Sequence, residues 1–566
     1  MKLVSFVFAA LLSSITVMSV CIAEDRQTYP AFYLDDATFK EAIAAEESLA
    51  PYQERLTGLI VPHHLLVAPL IARGFKLASG HSYKRAVLLF PDHFRQSRSV
   101  FSTSTRAYET VLGSVDIDIP VVEELLKLDG FVEPSDLFDE EHAIRALLPF
   151  LKHYLPETQI VPIAVATAAT REDADRLATE IEKWIDDETI IIQSTDFSHF
   201  HQFAEARKFD QQTLNVLAAG DLDQIAELRL PDHVDSVIAF YLNARLQSQL
   251  GAQVHVVSSK NSNDFAQTYL KETTSYITAV YGDFSKEVGH PVPDDVEVLY
   301  LAGDFTLGRN VLKLAQHPAS AIAVKDRILE VTKHEPLIVN LEGVVLPNVP
   351  RALRETSLAM PEKLAHEWLT ELNIKGASLA NNHSGDFGEL GMELTKDSLE
   401  RAGVHSLENL TLTEFDNLTV FAATDLKSTG SQQKDLLSEN DLENLFKYEG
   451  SNPIIAFLHW GEEYVSSPSA REYELVDELR QRGVTLVVGA HPHVRSNGLV
   501  SFAGGETLLI YSLGNFLFDQ SSRISSGAVA EIRIFPQGTY FVRLIDIPNY
   551  YETGIEAAQF DDAAKE

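Results

Sequence analysis

The sequence predicts an α/β protein of two layered domains. Apolar runs of four to seven residues, bounded by polar residues or glycine, alternate with longer segments whose apolar residues recur every three or four positions. The short runs are typical of buried strands, the longer segments are typical of amphipathic helices, and their alternation indicates layered α/β units. A chain of 566 residues is too long for one ordinary core, so we expect two or three domains.

A polar stretch that carries proline and glycine, residues 285–295, separates the two halves and is the best candidate linker. We therefore predict one domain over residues 26–284 and a second over residues 296–548, and we expect them to fold independently. The acidic end of the chain, residues 549–566, is predicted to be a frayed tail.

The first 23 residues are predicted to be a signal peptide. Lys2 precedes an apolar stretch, and the small residues Cys21 and Ala23 suit signal peptidase. This predicts an exported protein, periplasmic or at the cell surface. The same stretch is long enough to span a bilayer uncleaved, and acylation of Cys21 is a third alternative. Cleavage would remove the only cysteine, so any metal would be held by nitrogen and oxygen ligands.

The charge of the chain indicates which classes of partner it does not bind. The chain has 46 Lys and Arg against 82 Asp and Glu, a formal net charge of −36, and no basic stretch. This balance argues against nucleic-acid binding and against docking on anionic lipid. Membrane contact is expected only through the N-terminal segment, if that segment is not cleaved.

Six predicted strands of the second domain end in residues that can hold a metal ion or move a proton. Functional groups gather at the carboxyl ends of strands in stacked α/β sheets, and carboxylate, amide and imidazole groups suit divalent ions. The six ends therefore predict one site assembled from distant segments. The predicted strands are 296–302, 336–339, 374–379, 454–458, 484–488 and 508–513. The residues at or near their ends are Asp304, Asn340, Glu342, Asn382, His383, His459, His491, His493 and Asn515.

The order of these groups resembles that of calcineurin-like metallophosphoesterases, and residues 296–520 resemble the bacterial capsule-synthesis CapA family, also called the PgsA-like poly-γ-glutamate family. The motifs that carry the resemblance are Gly303-Asp304-Phe305-Thr306-Leu307-Gly308-Arg309, Asn340-Leu341-Glu342, Ala380-Asn381-Asn382-His383, Asp386-Phe387-Gly388, His459-Trp460-Gly461-Glu462-Glu463-Tyr464, Gly489-Ala490-His491-Pro492-His493 and Tyr511-Ser512-Leu513-Gly514-Asn515-Phe516.

This resemblance implies a metallophosphatase-type sandwich and a role in cell-surface polymer formation. It also implies His383 as the proton donor to the leaving oxygen, with the metal ligands Asp304, Glu342, Asn382, His459, His491 and His493. One departure is Thr306, where metallophosphoesterases carry a histidine in an Asp-x-His motif. One of two metal positions then lacks a ligand, which favours a single-metal site.

The first domain carries a second series of histidines and carboxylates after apolar runs. The motifs are Val61-Pro62-His63-His64, Phe90-Pro91-Asp92-His93, Glu141-His142-Ala143-Ile144 and Gln193-Ser194-Thr195-Asp196-Phe197-Ser198-His199-Phe200. They resemble those of the Memo family, the protein B component of AmmeMemoRadiSam gene sets. The resemblance covers residues 56–283 and implies the architecture of class III extradiol dioxygenases.

The Memo resemblance also implies a metal held by two histidines and a cysteine. His63 and His93 take the histidine positions, and the cysteine position falls on His233 by ungapped match, with Asp235 an equally available ligand. His142 is expected either to start a helix or to line the pocket. Asp196 and His199 are expected to form a buried hydrogen-bonded pair that orients the ligands.

Together these features predict an exported metal-dependent hydrolase that acts on a cell-envelope polymer or a phosphorylated precursor through its second domain. One alternative is a non-catalytic protein that assembles or binds the polymer. Another is a non-haem iron oxygenase activity in the first domain. The metal is expected to be Mn, Zn or Fe.

Overall fold

The computed structural model describes residues 28–284, 291–350, 357–426, 436–448 and 450–565. The predicted signal peptide and residues 285–290 of the predicted linker lie outside the described residues. Within the described ranges, no helix is long and apolar enough to cross a membrane.

The N-terminal half, residues 28–284, contains a nine-stranded mixed sheet with helices packed against it. Its strands are β1 (Leu56–Val61), β2 (Arg85–Pro91), β3 (Phe101–Thr103), β4 (Val132–Pro134), β5 (Gln159–Val165), β6 (Thr189–Ser194), β7 (His199–His201), β8 (Gln253–Asn261) and β9 (Thr273–Gly282). Its helices are α1 (Ala37–Ala45), α2 (Ala68–Ala78), α3 (Ile119–Leu125), α4 (His142–Arg145), α5 (Leu148–Tyr154), α6 (Arg171–Ile181), α7 (Phe203–Ala219), α8 (Leu222–Ala226) and α9 (Val237–Gln249).

The centre of this sheet runs β5-β2-β6-β1, and all three of these pairings are parallel. The central strands are buried on both faces, which agrees with their continuous apolar sequence. Because the strands are parallel, the carboxyl ends of β1, β2 and β6 lie at one edge of the sheet.

The C-terminal half, residues 291–565, is a sandwich of two sheets with flanking helices. Its strands are β10 (Glu297–Phe305), β11 (Leu337–Leu341), β12 (Val344–Leu346), β13 (Ala359–Pro361), β14 (Ile374–Ser378), β15 (His405–Leu407), β16 (Thr411–Glu414), β17 (Thr419–Thr424), β18 (Ile454–His459), β19 (Val484–Ala490), β20 (Val500–Phe502), β21 (Thr507–Ile510), β22 (Asn515–Leu517), β23 (Gly527–Ile534) and β24 (Tyr540–Ile547). Its helices are α10 (Arg309–Gln316), α11 (Pro318–Thr332), α12 (Glu362–Glu371), α13 (Gly388–Arg401), α14 (Ala470–Gln481) and α15 (Tyr550–Lys565).

A seven-stranded sheet in the order β15-β14-β11-β10-β23-β24, with β22 also paired to β10, faces a six-stranded sheet in the order β16-β17-β18-β19-β21-β20. Leu301 and Ile338 of the first sheet pack with Ile455, Phe457 and Val488 of the second in one buried cluster. This packing confirms the layered α/β class and the predicted sandwich.

Two details of the strand prediction are wrong at the same place. The apolar run 508–513 does not form one strand, because β21 ends at Ile510 and the chain then turns towards β22. β10 continues past its apolar run, because the backbone N–H of Asp304 donates to the Gly514 carbonyl at 2.9 Å. Gly303 permits this approach, since a Cβ there would lie 1.9 Å from the Gly514 oxygen.

The prediction of a frayed acidic tail at 549–566 is also wrong. Residues Tyr550–Lys565 form the helix α15, and the side chain of Tyr550 is 1% exposed. The helix packs beside α11, where the Ser320 hydroxyl donates to the Gly554 carbonyl at 2.7 Å. Glu556, Gln559 and Asp562 are exposed, so acidic residues occupy the solvated side of a packed helix.

The two halves are joined by buried polar contacts. On α7, Gln211 donates to the Tyr540 carbonyl at 3.0 Å and accepts from the Tyr540 N–H at 2.9 Å, and Asn215 donates to the Gly505 carbonyl at 2.8 Å. Phe535 and Phe541 of the C-terminal half pack into the core of the N-terminal half. Separating the halves would expose these groups, which argues against the expectation that each half folds independently.

Candidate metal centres

The C-terminal half brings together three ligand groups from three strand ends. Among the described residues, Asp304, Glu342 and His459 each offer one ligand atom, and these atoms lie within 4.8 Å of one another. All three side chains are buried. Glu342 is held just beyond β11 because its N–H donates to the Phe305 carbonyl at 2.9 Å. We call this group the C-terminal cluster.

Two asparagines orient this cluster. Asn340 donates to Asp304 at 2.8 Å, and its amide nitrogen also lies 3.1 Å from Nδ1 of His459. Nδ1 therefore accepts, and Nε2 of His459 donates to Oδ1 of Asn382 at 3.0 Å. The structure thus brings the predicted ligand Asn382 and the predicted supporting residue Asn340 to the site.

His491 and His493 reach the cluster through a strained turn. Their φ angles of 98° and 58° are left-handed, which costs energy for residues other than glycine and is typical of functional sites. The His491 N–H lies 3.2 Å from Oδ1 of Asp304, and its ring centroid is 4.8 Å from that of His459. Nδ1 of His493 lies 3.0 Å from Asp304 and 2.8 Å from Oδ1 of Asn515.

Burial and neighbouring charges set the electrostatics of this cluster. Burial raises the pKa of Asp304, but the hydrogen bond to His493 and the charges of His493 and His459 together outweigh burial, and the net pKa is lowered. Burial, followed by the charge of Asp304, raises the pKa of Glu342 well above its usual value. Burial lowers the pKa of His459 well below its usual value and lowers that of His491 to about 4. Neutral imidazoles beside carboxylates are the forms that bind metal ions.

His383 lies at the edge of the cluster and is partly exposed. Its Nε2 lies 3.9 Å from Oε2 of Glu342, and its Nδ1 lies 3.0 Å from Oδ2 of Asp386. Asp386 was not predicted as a functional residue, although it lies in one of the motifs. The available signal is its position three residues after His383 in a turn, where a carboxylate can fix the orientation of the ring.

Thr306 stands where metallophosphoesterases carry a histidine, and it offers no imidazole to a metal ion. Its side chain is buried, and its hydroxyl oxygen accepts a hydrogen bond from the Gly308 N–H at 3.2 Å.

The N-terminal half brings a second set of groups to the carboxyl ends of β1 and β2. His63, His93 and His142 each offer a ring nitrogen, and these atoms lie within 4.8 Å of one another. Asp235 places Oδ2 3.6 Å from Nε2 of His63 and 3.9 Å from Nε2 of His93. Asp196 lies 3.7 Å from Nε2 of His63. We call this group the N-terminal cluster.

Hydrogen bonds leave Nε2 of both histidines available. The Ser194 hydroxyl donates to the Ala143 carbonyl at 2.6 Å, so it accepts from Nδ1 of His63 at 3.2 Å. Glu141 accepts from Nδ1 of His93 at 2.9 Å. Such partners fix the tautomer of metal-binding histidines. The two Nε2 lone pairs and the Asp235 carboxylate therefore form a donor set that fits a divalent ion.

The assignment of His233 as a ligand of this cluster is not supported by its position. Its Nε2 lies 3.0 Å from Oε1 of Gln212, and its Nδ1 accepts from the Arg229 N–H at 3.2 Å. Both ring nitrogens are therefore engaged away from His63 and His93. The chain turns between residues 229 and 236, so an ungapped match could not tell which side chain faces the cluster. The structure brings Asp235, the alternative ligand, into place.

Among the predicted supporting residues, the structure agrees with one expectation and contradicts another. His142 begins α4, which was one of the two expectations, and its ring lies 4.5 Å from that of His93. The expected hydrogen-bonded pair of Asp196 and His199 is absent from the described residues. Asp196 instead accepts from the His63 N–H at 3.2 Å, while Nδ1 of His199 is buried without a hydrogen-bond partner. Burial lowers the pKa of His199 to about 4.

The charges of the N-terminal cluster follow from burial. Burial raises the pKa of Asp235 to about 6 and, with the charge of Asp235, raises that of Asp196 well above its usual value. Burial also lowers the pKa of His63 well below its usual value. Burial lowers the pKa of His93, but the hydrogen bond to Glu141 and the negative charges of Glu141, Asp235 and Asp196 together outweigh burial, and the net pKa is raised.

Comparison with known families matches each half of the chain to a different family. Residues 31–280 match the family model described as Memo-like protein, and residues 298–407 and 418–520 match the model described as bacterial capsule synthesis protein PGA_cap. The chain joins a Memo-like half to a CapA-like half. These matches confirm the two resemblances predicted from the motifs, and they agree with the α/β class predicted from the alternation of strand and helix patterns.

Individual relatives match one half each. A MEMO1 family protein of Methanopyrus kandleri is 27% identical over 243 residues, which cover 42% of this chain and 81% of that protein. The PGA biosynthesis protein CapA of Bacillus subtilis is 27% identical over 280 residues, which cover 45% of this chain and 72% of that protein. The capsule biosynthesis protein CapA of Bacillus anthracis is 24% identical over 275 residues, which cover 44% of this chain and 66% of that protein.

Proposed function

We propose that this protein is an exported, metal-dependent hydrolase whose CapA-like half acts on a cell-envelope polymer or a phosphorylated precursor of one. The observation that carries the proposal is the buried group of Asp304, Glu342 and His459, with His383 and Asp386 at its edge. Relatives of the CapA-like half are named for capsule and PGA biosynthesis, which supports a polymer of the cell surface as the substrate class.

The nitrogen and oxygen donors of the CapA-like half suit a divalent ion, with Mn, Zn and Fe all compatible with such a set. The residues that would hold it are Asp304, Glu342, Asn382, His459, His491 and His493. A divalent ion supplies Lewis acidity, which polarises a phosphoryl or acyl oxygen and makes water a better nucleophile.

His383 is the proton donor in this proposal. Its Nδ1 is fixed by Asp386 at 3.0 Å, so Nε2 faces the cluster and can carry the proton that is transferred. In hydrolysis the oxygen of water bonds to the phosphorus or carbonyl carbon while the bond to the leaving oxygen breaks. His383 protonates the leaving oxygen and recovers a proton from water.

The test compares His383→Ala with His405→Ala in the full-length chain, because His405 is an exposed histidine on β15 outside the cluster. Hydrolysis of a generic phosphodiester and of envelope polymer fractions would be measured with Mn, Zn and Mg. We expect His383→Ala to keep its metal and to lose about 10²–10⁴-fold in turnover, and His405→Ala to match the unsubstituted protein. Turnover unaffected by His383→Ala would reject its role. Full metal occupancy without any hydrolysis would favour the alternative of a non-catalytic polymer-assembly protein.

A second activity is proposed for the Memo-like half, because His63, His93 and Asp235 place two imidazoles and one carboxylate together. This donor set is typical of non-haem iron oxygenases. Iron content of the purified protein, with oxygen consumption in the presence of catechol, would test it. Oxygen uptake that requires Asp235 would support the activity, and iron-free protein prepared with iron in the medium would contradict it.

Export is proposed from the N-terminal segment. N-terminal sequencing of the protein from the periplasm or culture medium is expected to begin near Glu24. Recovery of the full-length chain in the membrane fraction would instead indicate an uncleaved anchor.

A further inference from the structure

Arg309 occupies an unusual position beside the C-terminal cluster. It is the first residue of α10, three residues beyond Thr306, and its φ of 45° is left-handed. A glycine would adopt this angle more easily, so the fold carries backbone strain to keep an arginine there.

The guanidinium group lies on the His493 side of the cluster. Its central carbon is 5.0 Å from the centroid of the Phe518 ring, and that ring is 4.7 Å from the ring of His493. Nη2 forms an ion pair with Asp519. Nε is buried without a hydrogen-bond partner, although the side chain as a whole is 30% exposed. A guanidinium N–H that is buried and unsatisfied is costly unless something binds it.

The segment opposite Arg309 is fixed by a chain of hydrogen bonds that starts at the cluster. Asn515, which contacts His493, donates to Gln520 at 2.9 Å, and Gln520 donates to the Tyr464 hydroxyl at 3.0 Å. Asp519, the ion-pair partner of Arg309, lies in this same segment. These hydrogen bonds therefore fix the segment that carries Asp519 beside the guanidinium group.

The charge of Arg309 reaches the cluster. Burial and Asp304 raise the pKa of Glu342, and Arg309 is among the groups that oppose this rise. Arg309 also opposes the rise in the pKa of Tyr464, which burial and the charge of Glu463 produce.

We propose that Arg309 is a substrate-binding residue of the C-terminal site and acts as its second cation. The anionic group of the substrate is held between a single divalent ion and the guanidinium group, which takes the place of a second metal ion. This inference rests on the proposed function of the same site. Thr306 offers no imidazole for a second ion, and two-metal sites use the second ion to clamp an anionic oxygen. The ligand is therefore a phosphate or carboxylate group, because a planar guanidinium binds either through paired N–H donors.

The experiment measures anion binding directly, so it does not depend on turnover. Full-length protein that carries His63→Ala, which silences the N-terminal cluster, is first titrated with Mn²⁺, and the Mn²⁺-loaded protein is then titrated calorimetrically with inorganic phosphate and, separately, with glutarate. Arg309→Gln removes the cation, and Arg309→Lys keeps the charge without the planar fork. Arg327→Gln is the matched control, since Arg327 is an exposed arginine on α11 that pairs with Glu330.

We expect Arg309→Gln to weaken anion binding by about 10–100-fold, Arg309→Lys to weaken it less, and Arg327→Gln to leave it unchanged. Mn²⁺ affinity is expected to stay the same in all three variants. The stronger of the two anions identifies the charged group of the substrate.

Anion affinity that is equal in Arg309→Gln and the unsubstituted protein would overturn the proposal. Loss of Mn²⁺ binding in both Arg309 variants would also overturn it, because it would show a structural role. If the unsubstituted protein bound no Mn²⁺, the proposed function itself would fail, and this inference would fail with it.

Discussion

Single side chains decide which histidine nitrogen faces the N-terminal cluster. Ser194 and Glu141 engage the Nδ1 atoms of His63 and His93, so both Nε2 atoms face the same carboxylate, that of Asp235. The identity of the third metal ligand therefore depends on one side chain, and single substitutions can test it.

We expect Asp235→Ala to abolish metal binding by the Memo-like half, since three protein ligands leave no redundancy. His233→Ala is the matched comparison and is expected to keep the metal, because both ring nitrogens of His233 are engaged by Gln212 and Arg229. Metal content of the purified variants is the measurement. Loss of metal in His233→Ala with retention in Asp235→Ala would reverse the assignment.

Asp210 gives a prediction about pH. Burial raises its pKa from 3.8 to about 7, although Ser275 and Ser198 donate to it. The folded state then keeps a proton that the unfolded state releases, so this stability contribution is complete below about pH 4 and is lost as the pH rises through 7.

Asp210→Asn cannot lose that proton. The free energy of unfolding of the variant relative to the unsubstituted protein should therefore rise between about pH 4 and pH 7 and then level off. The upper limit of the rise is about 4 kcal/mol for a shift of this size. Urea unfolding at several pH values measures it, and a difference that is independent of pH would show that Asp210 is ionised in the folded protein.

At the scale of secondary-structure elements, the sequence predicts much of what forms the sites. The strands that end at Asp304, Glu342 and His459 were predicted because a buried strand needs only an apolar run with polar ends. The orientation of Asp235, the role of Asp386 and the engagement of His233 were not predicted. They depend on how loops turn in three dimensions, and residue spacing along the chain does not record that.

The helix α15 shows the same limit of prediction from sequence, because a segment of acidic composition also contributes buried residues to the core. Tyr550→Ala is expected to destabilise the protein by about 3–5 kcal/mol, since it removes a large buried side chain. Phe560→Ala on the same helix is the control, as Phe560 is 80% exposed, and we expect a change within about 0.5 kcal/mol. Chemical denaturation measures both, and equal effects of the two substitutions would indicate a frayed helix.

At the scale of the whole molecule, the interface between the halves makes them one unit. Arg533 is buried, donates to Glu531 at 2.8 Å, and reaches the Val256 carbonyl of the N-terminal half at 3.4 Å. Arg543 donates to the same Glu531 at 2.7 Å. Such a network is costly to break, because it leaves buried charge without its partner.

We therefore expect one cooperative thermal transition for the full-length protein. Arg533→Ala should lower its midpoint and cost on the order of 3 kcal/mol, whereas Arg327→Ala at an exposed ion pair should change stability little. Calorimetry measures both. Two separate transitions, with only one shifted by Arg533→Ala, would show that the halves unfold independently.

The central claim is that the buried group of Asp304, Glu342 and His459 holds a divalent ion. Its most direct test is calorimetric titration of the full-length protein with Mn²⁺ or Zn²⁺, with His63→Ala present in every sample to silence the N-terminal cluster. Glu342→Gln is compared with Glu330→Gln, which removes an exposed carboxylate on α11. We expect one ion to bind, with an affinity that Glu342→Gln lowers by at least about 100-fold and Glu330→Gln leaves unchanged. Binding that is the same in Glu342→Gln, or no binding at all, would contradict the claim.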